Sequence, residues 1–369
     1  MASPQKPSPH GRAPAIVREV YNGCRRLDPT QIASHPNVVD LQQRQGGEES
    51  ADGTFIEKPI PWASLESAFD GFMGDGSWRV GVCCGSEDVR VYGLKQVPGL
   101  QIIPSLLPPS IQVGMLSRLL HRDLSDERHQ TNLHLHYHIS YPSSPLESLT
   151  TVPEASDTRQ DAEMNTGKSF FADDPARLLL AKDSTVHRPM SIKIALNGKL
   201  RWMTLGGQYN WTSKEYPPGP PPPFPSDIAK LLRGIFPQTT PEAAIVNLYS
   251  SNDTLYPHRD VSEDCDTGLI SISFGCDGLF LVGHTEEDGC SVIRLRSGDA
   301  VYMSGASRFA WHAVPKILPS TCPGWLASWP GGDDSSKRFQ QWQGWMAGKR
   351  VNLNVRQMFQ HTATAAEDA

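Results

Sequence analysis

His258-Arg259-Asp260, then His312, then Arg350-Val351-Asn352-Leu353-Asn354-Val355-Arg356 lie in that order in the last third of a 369-residue chain. Two imidazoles and one carboxylate form the ligand set of a non-haem ferrous centre that keeps coordination positions open. Downstream guanidinium groups hold carboxylates by charge-assisted, often two-pronged hydrogen bonds. The elements that must position these groups are strands, in which side chains at i and i+2 share a face. His258 and Asp260 then project together. Arg350, Asn352, Asn354 and Arg356 share one face, with Val351, Leu353 and Val355 on the other. Asn247 and Tyr249 share a face of a strand over residues 243–249. A polar strand face is costly to bury unless it lines a site. The combination predicts chemistry with iron, O2 and 2-oxoglutarate.

A His-x-Asp tripeptide alone is weak, because short motifs recur by chance. His121-Arg122-Asp123 is a second copy, and it continues into Leu124 like the catalytic loop of a protein kinase. Arg128 stands where that loop needs its magnesium-binding Asn, and neither a Gly-rich loop nor Asp-Phe-Gly accompanies it. Leu116, Leu119 and Leu120 have helical spacing, so His121 is expected to end a surface helix. His134, His136 and His138 alternate, which would place them on one strand face. No acidic or cysteine partner is near them in sequence.

The His258 copy differs in its neighbours. A β segment over 269–275, a turn and Gly298-Asp299-Ala300-Val301 lead to Ser304-Gly305-Ala306-Ser307-Arg308 and His312-Ala313-Val314-Pro315. With Arg350-x-Asn352-x-Asn354-x-Arg356, these motifs resemble the AlkB family of Fe(II)/2-oxoglutarate dioxygenases. That family usually has Thr where this chain has Asn354. Arg201-Trp202-Met203-Thr204-Leu205-Gly206-Gly207-Gln208-Tyr209-Asn210-Trp211 and Pro223-Phe224-Pro225-Ser226-Asp227 are similar to the eukaryotic homologue-1 branch. The resemblance spans residues 90–360 with gaps.

The resemblance implies a double-stranded β-helix (jelly-roll) core, with His258, Asp260 and His312 binding Fe(II). It implies 2-oxoglutarate held at its far carboxylate by Arg350 with Tyr249 and Asn352, and at its near end by Arg356 and Asn247. It implies oxidation of a methyl on a base nitrogen, releasing formaldehyde, succinate and CO2. An extruded or unpaired base is needed for access, with tRNA the first choice of substrate and DNA the second. Two other classes share such a core: a protein (histone) demethylase or hydroxylase, and a non-catalytic nucleic-acid-binding module. The latter would need a broken triad, and the triad here is intact.

Composition bounds the rest. The chain is 38% hydrophobic, enough for one large core. Mean hydropathy is −0.39, and no apolar run approaches a membrane span. Seven scattered cysteines without zinc spacing suit a reducing compartment. The expected location is the nucleus or cytoplasm, with the mitochondrion as an alternative, and the expected state is a monomer. The net charge of −6 is not that of a tight duplex binder. Locally, Lys193, Lys199, Arg201 and Lys214 surround Trp202, Tyr209 and Trp211. Basic residues interleaved with aromatics fit a surface that follows phosphates and stacks a base. The plainer reading is a hairpin with solvated lysines.

The fold class expected is mainly β with flanking helices (α+β), carrying an N-terminal α/β extension. Residues 1–55 read as a mostly disordered tail with a helical patch near 15–27. Residues 56–186 read as the extension, with a strand near 79–83, a helix near 109–121 and a mobile insertion at 141–186. Residues 187–360 read as the oxygenase domain, comprising a substrate flap at 191–216 and a catalytic core at 240–360. Ser226 is the expected N-cap of a helix over 227–236. Phe339, Trp342, Trp345 and Met346 have helical spacing and should pack inward, and 361–369 reads as a frayed tail.

Overall fold

A computed structural model describes residues 7–8, 10–32, 35, 38–43, 53–74, 79, 87–142, 168–331 and 334–360. Among the described residues, the major sheet has the spatial order β2 (Thr54–Ile56), β3 (Tyr92–Leu94), β4 (Val97–Ile103), β14 (Ala300–Met303), β11 (Leu269–Gly275), β16 (Lys349–Arg356), β9 (Ala243–Ser250) and β8 (Trp202–Gly206). The minor sheet runs β1 (Val38–Val39), β13 (Cys290–Leu295), β12 (Gly278–Gly283), β15 (Trp311–Ile317) and β10 (Leu255–His258). The pairs are antiparallel apart from β1 with β13. The two sheets pack face to face through Leu100, Leu269, Phe280, Val282, Val301 and Met303, which closes a jelly roll.

The alternation read from the sequence is realised in β16. Val351, Leu353 and Val355 are fully buried against the helical layer. That layer contains α2 (Trp62–Met73), α3 (Pro109–Ser117) and α4 (Ser226–Ile235). The polar face of β16 is left to look inward, between the sheets. A second helix layer covers the minor sheet. In α1 (Ala15–Arg26), Val17, Tyr21 and Cys24 follow one helical stripe and bury themselves on Leu279, Leu281 and Ala313. The Tyr21 hydroxyl donates to Thr254 Oγ1 at 3.0 Å, beside the strand that carries His258.

Several expectations change here. Within the tail expected over 1–55, the helical patch read near 15–27 is the helix Ala15–Arg26; it is packed on the minor sheet rather than loose, and a strand that joins that sheet follows it. The amphipathic stripe, which polar composition hides, makes the difference. The strand near 79–83 falls almost wholly outside the described residues, as do 143–167 of the insertion and the tail 361–369. The rest of the insertion is structured. Phe171 is fully buried, and β6 (Leu178–Ala181) pairs with β5 (Tyr137–His138) and β7 (Met190–Ser191). Helix α4 begins one residue earlier than expected, with Pro225 rather than Ser226 at the cap position.

The second His-x-Asp copy is structural. His121 is buried, stacked 4.5 Å from Phe339, with Nδ1 2.7 Å from Ser169 Oγ. It therefore does not end a surface helix. Arg122 forks between Asp123 and Asp227, which ties the end of α3 to α4. The histidine alternation over 134–138 dissolves as well. His134 caps a helical turn and bonds Tyr141, while His136 packs tilted against His187, ring centres 4.5 Å apart. Trp342 and Trp345 pack inward as expected, their indole N–H groups donating to the carbonyls of Phe171 and Leu196.

Candidate metal centre and co-substrate pocket

His258 ends β10, and His312 stands directly opposite it on β15. Asp260 follows two residues beyond β10, as the chain leaves the sheet. One ligand atom from each lies within 4.8 Å of the others. His258 Nε2 is 3.9 Å from Asp260 Oδ1, and His312 Nε2 is 3.7 Å from Asp260 Oδ2. Each ring turns its Nδ1 to a backbone carbonyl two residues earlier, Tyr256 at 2.9 Å and Ala310 at 3.1 Å. Those carbonyls accept only an N–H, which places a proton on Nδ1 and, in the neutral ring that a metal ligand must be, turns the Nε2 lone pair to the cluster.

The electrostatics favour a cation. Burial pushes Asp260 upward, but the charge of Arg356 outweighs it and holds the carboxyl well below its usual range. Arg356 Nη2 lies 2.8 Å from Asp260 Oδ2, and the Asn354 amide donates to the same oxygen at 3.1 Å. Burial, reinforced by His258, brings the His312 pKa down to about 4. Its ring is neutral at pH 7, the state a metal ligand requires. Two bare imidazole nitrogens and an ionised carboxylate oxygen form the facial set suited to Fe(II).

A cavity of about 310 Å³ opens beside this cluster, between the sheets. Arg350, Asn352, Asn354 and Arg356 all line it, as do Asn247 and Tyr249 from the neighbouring β9. The same-face reading of both strands therefore holds. Arg350 is 2% exposed. It donates to Ser273 Oγ at 2.7 Å and to the Cys276 and Leu295 carbonyls, yet its Nε has no hydrogen-bond partner. Burial lowers its pKa. A buried guanidinium with an orphaned donor calls for an anion. Gly278 makes room for it, because a Cβ there would lie 2.8 Å from Arg350 Nε. These residues fit a dicarboxylate reaching from the metal cluster to Arg350.

Asn352 spends its amide on Ser271 Oγ and the Ile272 carbonyl. Tyr209 and Trp211 line the mouth, where Trp211 is 40% exposed. Trp202 does not line the cavity. It sits on β8, an edge strand of the major sheet, and braces Trp211 at 5.1 Å. The expected flap at 191–216 is thus part helical turn, part sheet edge and part loop.

Sequence reasoning passed over Glu263. It is 3% exposed and receives Arg308 at 2.9 Å and the Tyr216 hydroxyl at 3.3 Å, with Arg356 Nε at 3.3 Å. Arg308 also donates to the Asp260 carbonyl at 2.7 Å. This buried network fixes the backbone of the Asp260 ligand and links it to the mouth loop. No periodic pattern marks Glu263. Only its closeness in sequence to Asp260 could have pointed to it.

Residues 180–356 match the model of the 2OG-Fe(II) oxygenase superfamily. A Pyricularia oryzae protein described as N6-methyladenosine RNA demethylase ALKB1 is 41% identical over 93% of this chain and 95% of its own. This chain belongs to the 2OG-Fe(II) oxygenases, in their AlkB homologue-1 branch. A Cryphonectria parasitica relative described as N6-methyladenosine RNA demethylase ALKBH is 44% identical over 61% of this chain and 99% of its own. The Schizosaccharomyces pombe protein described as tRNA demethylase abh1 is 34% identical over 73% of this chain and 82% of its own. As a member, the chain is a dioxygenase that uses Fe(II) and 2-oxoglutarate with O2.

Proposed function

We propose that this oxygenase demethylates nucleic-acid bases, with tRNA its first substrate and DNA its second. The observation that carries the reading is that the aromatics Tyr209 and Trp211 line the same cavity as an intact ligand triad. Relatives bearing RNA and tRNA demethylase descriptions support it. One O2 and one 2-oxoglutarate are consumed per methyl, giving succinate, CO2, formaldehyde and the free base nitrogen.

His258, Asp260 and His312 would hold the iron, which with its co-substrates supplies the oxidising power for the C–H bond. Arg350 takes the far carboxylate of 2-oxoglutarate, with Tyr249 beside it. Arg356 and Asn247 steady the near end, and Arg356 also keeps Asp260 ionised and aimed. Asn354 and Glu263 act through Asp260 and Arg356 as positioning residues. Leu269, Phe280, Leu295 and Met303 exclude water from the cavity. Tyr209 and Trp211 stack an extruded base, and Trp202 braces Trp211 in place.

The test is a succinate and formaldehyde assay on anaerobically loaded protein with methylated tRNA, methylated single-stranded DNA and a methylated histone peptide. Formaldehyde from nucleic acid, lost in His258→Ala and Asp260→Ala, is expected. Turnover of the peptide alone overturns the proposal.

A further inference from the structure

Tyr256 stands apart from the rest of the cavity lining. It is 56% exposed, yet it lines the same cavity as the triad, as do Tyr209 and Trp211. Trp211 comes from the loop beyond β8 of the major sheet, and Tyr256 from β10, the edge strand of the minor sheet. Aromatic side chains therefore join one lining from both sheets. The Tyr256 ring belongs to none of the apolar clusters of the core. Its one ring partner among the described residues is Tyr21, edge-on at 5.3 Å, and Tyr21 is itself held by its bond to Thr254.

The backbone accounts for the exposure. Leu255 pairs with Val314 and His258 with His312, so three steps along β10 span two along β15. The extra residue makes a bulge, a device that re-aims side chains and recurs beside active sites. Pro257 sits within it, buried, and lacks the N–H that a ladder needs. The main chain of Tyr256 is fixed too, because its carbonyl accepts the His258 Nδ1–H at 2.9 Å. An iron ligand thus steadies the backbone that presents the ring. A braced tyrosine ring facing solvent offers a flat apolar face at little cost in conformational entropy. The charges around it suit a polyanion. Lys214 and Arg259 line the cavity, and Arg259 pairs with no carboxylate among the described residues, while Asp260 and Glu263 are taken up by Arg356 and Arg308.

We propose that Tyr256 is a second stacking platform, which takes the base next to the one that enters the cavity. The inference rests on the nucleic-acid reading above and deepens it: the substrate must offer two consecutive unpaired bases, one for Tyr209 and Trp211 and one for Tyr256. Stacking on a ring tolerates any base, so the platform selects for an open strand rather than for a sequence.

The experiment measures binding by fluorescence anisotropy under anaerobic conditions, with iron-loaded protein and N-oxalylglycine. The probe is a short labelled single-stranded RNA with one central N1-methyladenine, beside versions in which a neighbouring base or a distant base is removed to leave an abasic sugar. Removing one neighbouring base should weaken native binding at least about fivefold, and removing the distant base much less. Tyr256→Ala should weaken binding of the intact strand by a similar factor, with no further loss when that neighbour is absent. The loss should be the same at every salt concentration, since a stacked ring releases no counterions. Tyr256→Phe should bind like the native protein, and Tyr256→Leu like the Ala variant. Equal binding of the intact strand by the Ala variant and the native protein overturns the proposal, and so does a neighbour effect that persists in full in the Ala or Leu variant. A native protein that ignores the missing neighbour sinks the platform alone, whereas one that binds no strand sinks the nucleic-acid reading with it. A protein that stacks a neighbour through Tyr256 but releases no formaldehyde sinks the demethylase reading and leaves the platform standing.

Discussion

At the scale of single residues, the structure explains the one departure from the family motif. Asn354 stands where Thr is usual, and its amide still donates to Asp260. Asn354→Thr keeps a donor and should retain iron binding. Asn354→Leu should weaken iron affinity roughly tenfold or more, the usual cost of losing a group that orients a metal ligand, measured by metal titration under anaerobic conditions. Arg350→Lys should raise the KM for 2-oxoglutarate about 10- to 100-fold, since a point charge cannot replace a fork braced by Ser273 and two carbonyls. His121 gives a pH prediction away from the site. Burial, with the Arg338 charge, brings its pKa to about 4. Below about pH 6.5 the unfolded chain takes up a proton that the native ring refuses. Stability is therefore complete above that pH and falls between it and pH 4, by at most about 3 kcal/mol. Urea midpoints across this range should slope less in His121→Phe.

At the scale of elements, α1 buttresses the strand pair that bears the histidines. Tyr21→Ala empties a buried site and removes the hydrogen bond to Thr254, and should cost about 3 kcal/mol in chemical denaturation. Iron affinity should fall with it, because β10 loses its outer support. What the sequence disclosed divides along the same line. Period-two alternation made β16 and β9 legible, because one face had to be polar and the other apolar. The triad was legible because residue type and order are conditions of its chemistry. Glu263 and the burial of His121 were not, since both depend on partners far apart in the chain: Arg308 and Tyr216 for one, Ser169 and Phe339 for the other. The helix near 15–27 was legible as a patch, but its packing was not, because three buried side chains on a polar helix barely alter composition. Trp202 misled because an aromatic near a site resembles one in it.

At the scale of the whole molecule, the two histidine ligands belong to the minor sheet, with Asp260 just beyond it, and the arginines to the major one. Iron and 2-oxoglutarate should therefore hold the two sheets together. Saturation with Fe(II) and the non-reactive analogue N-oxalylglycine, each at a hundredfold excess over its Kd, should stabilise the fold by about 2.7 kcal/mol per ligand. A differential scan before and after chelation would read this as a fall in Tm. A protein whose Tm ignores chelation would contradict a shared site between the sheets.

Strand β16 is among the last elements in sequence, yet it lies in the interior of the major sheet, flanked by β11 and β9. A ribosome must release nearly all of the described chain before those neighbours can be joined. Until then β9 and β11 wait with open edges, and the guanidinium seat for the keto-diacid does not exist. Nascent protein is thus unable to activate oxygen beside an unfinished oxidation site, and truncation anywhere before residue 356 should yield a chain that is aggregation-prone as well as inert.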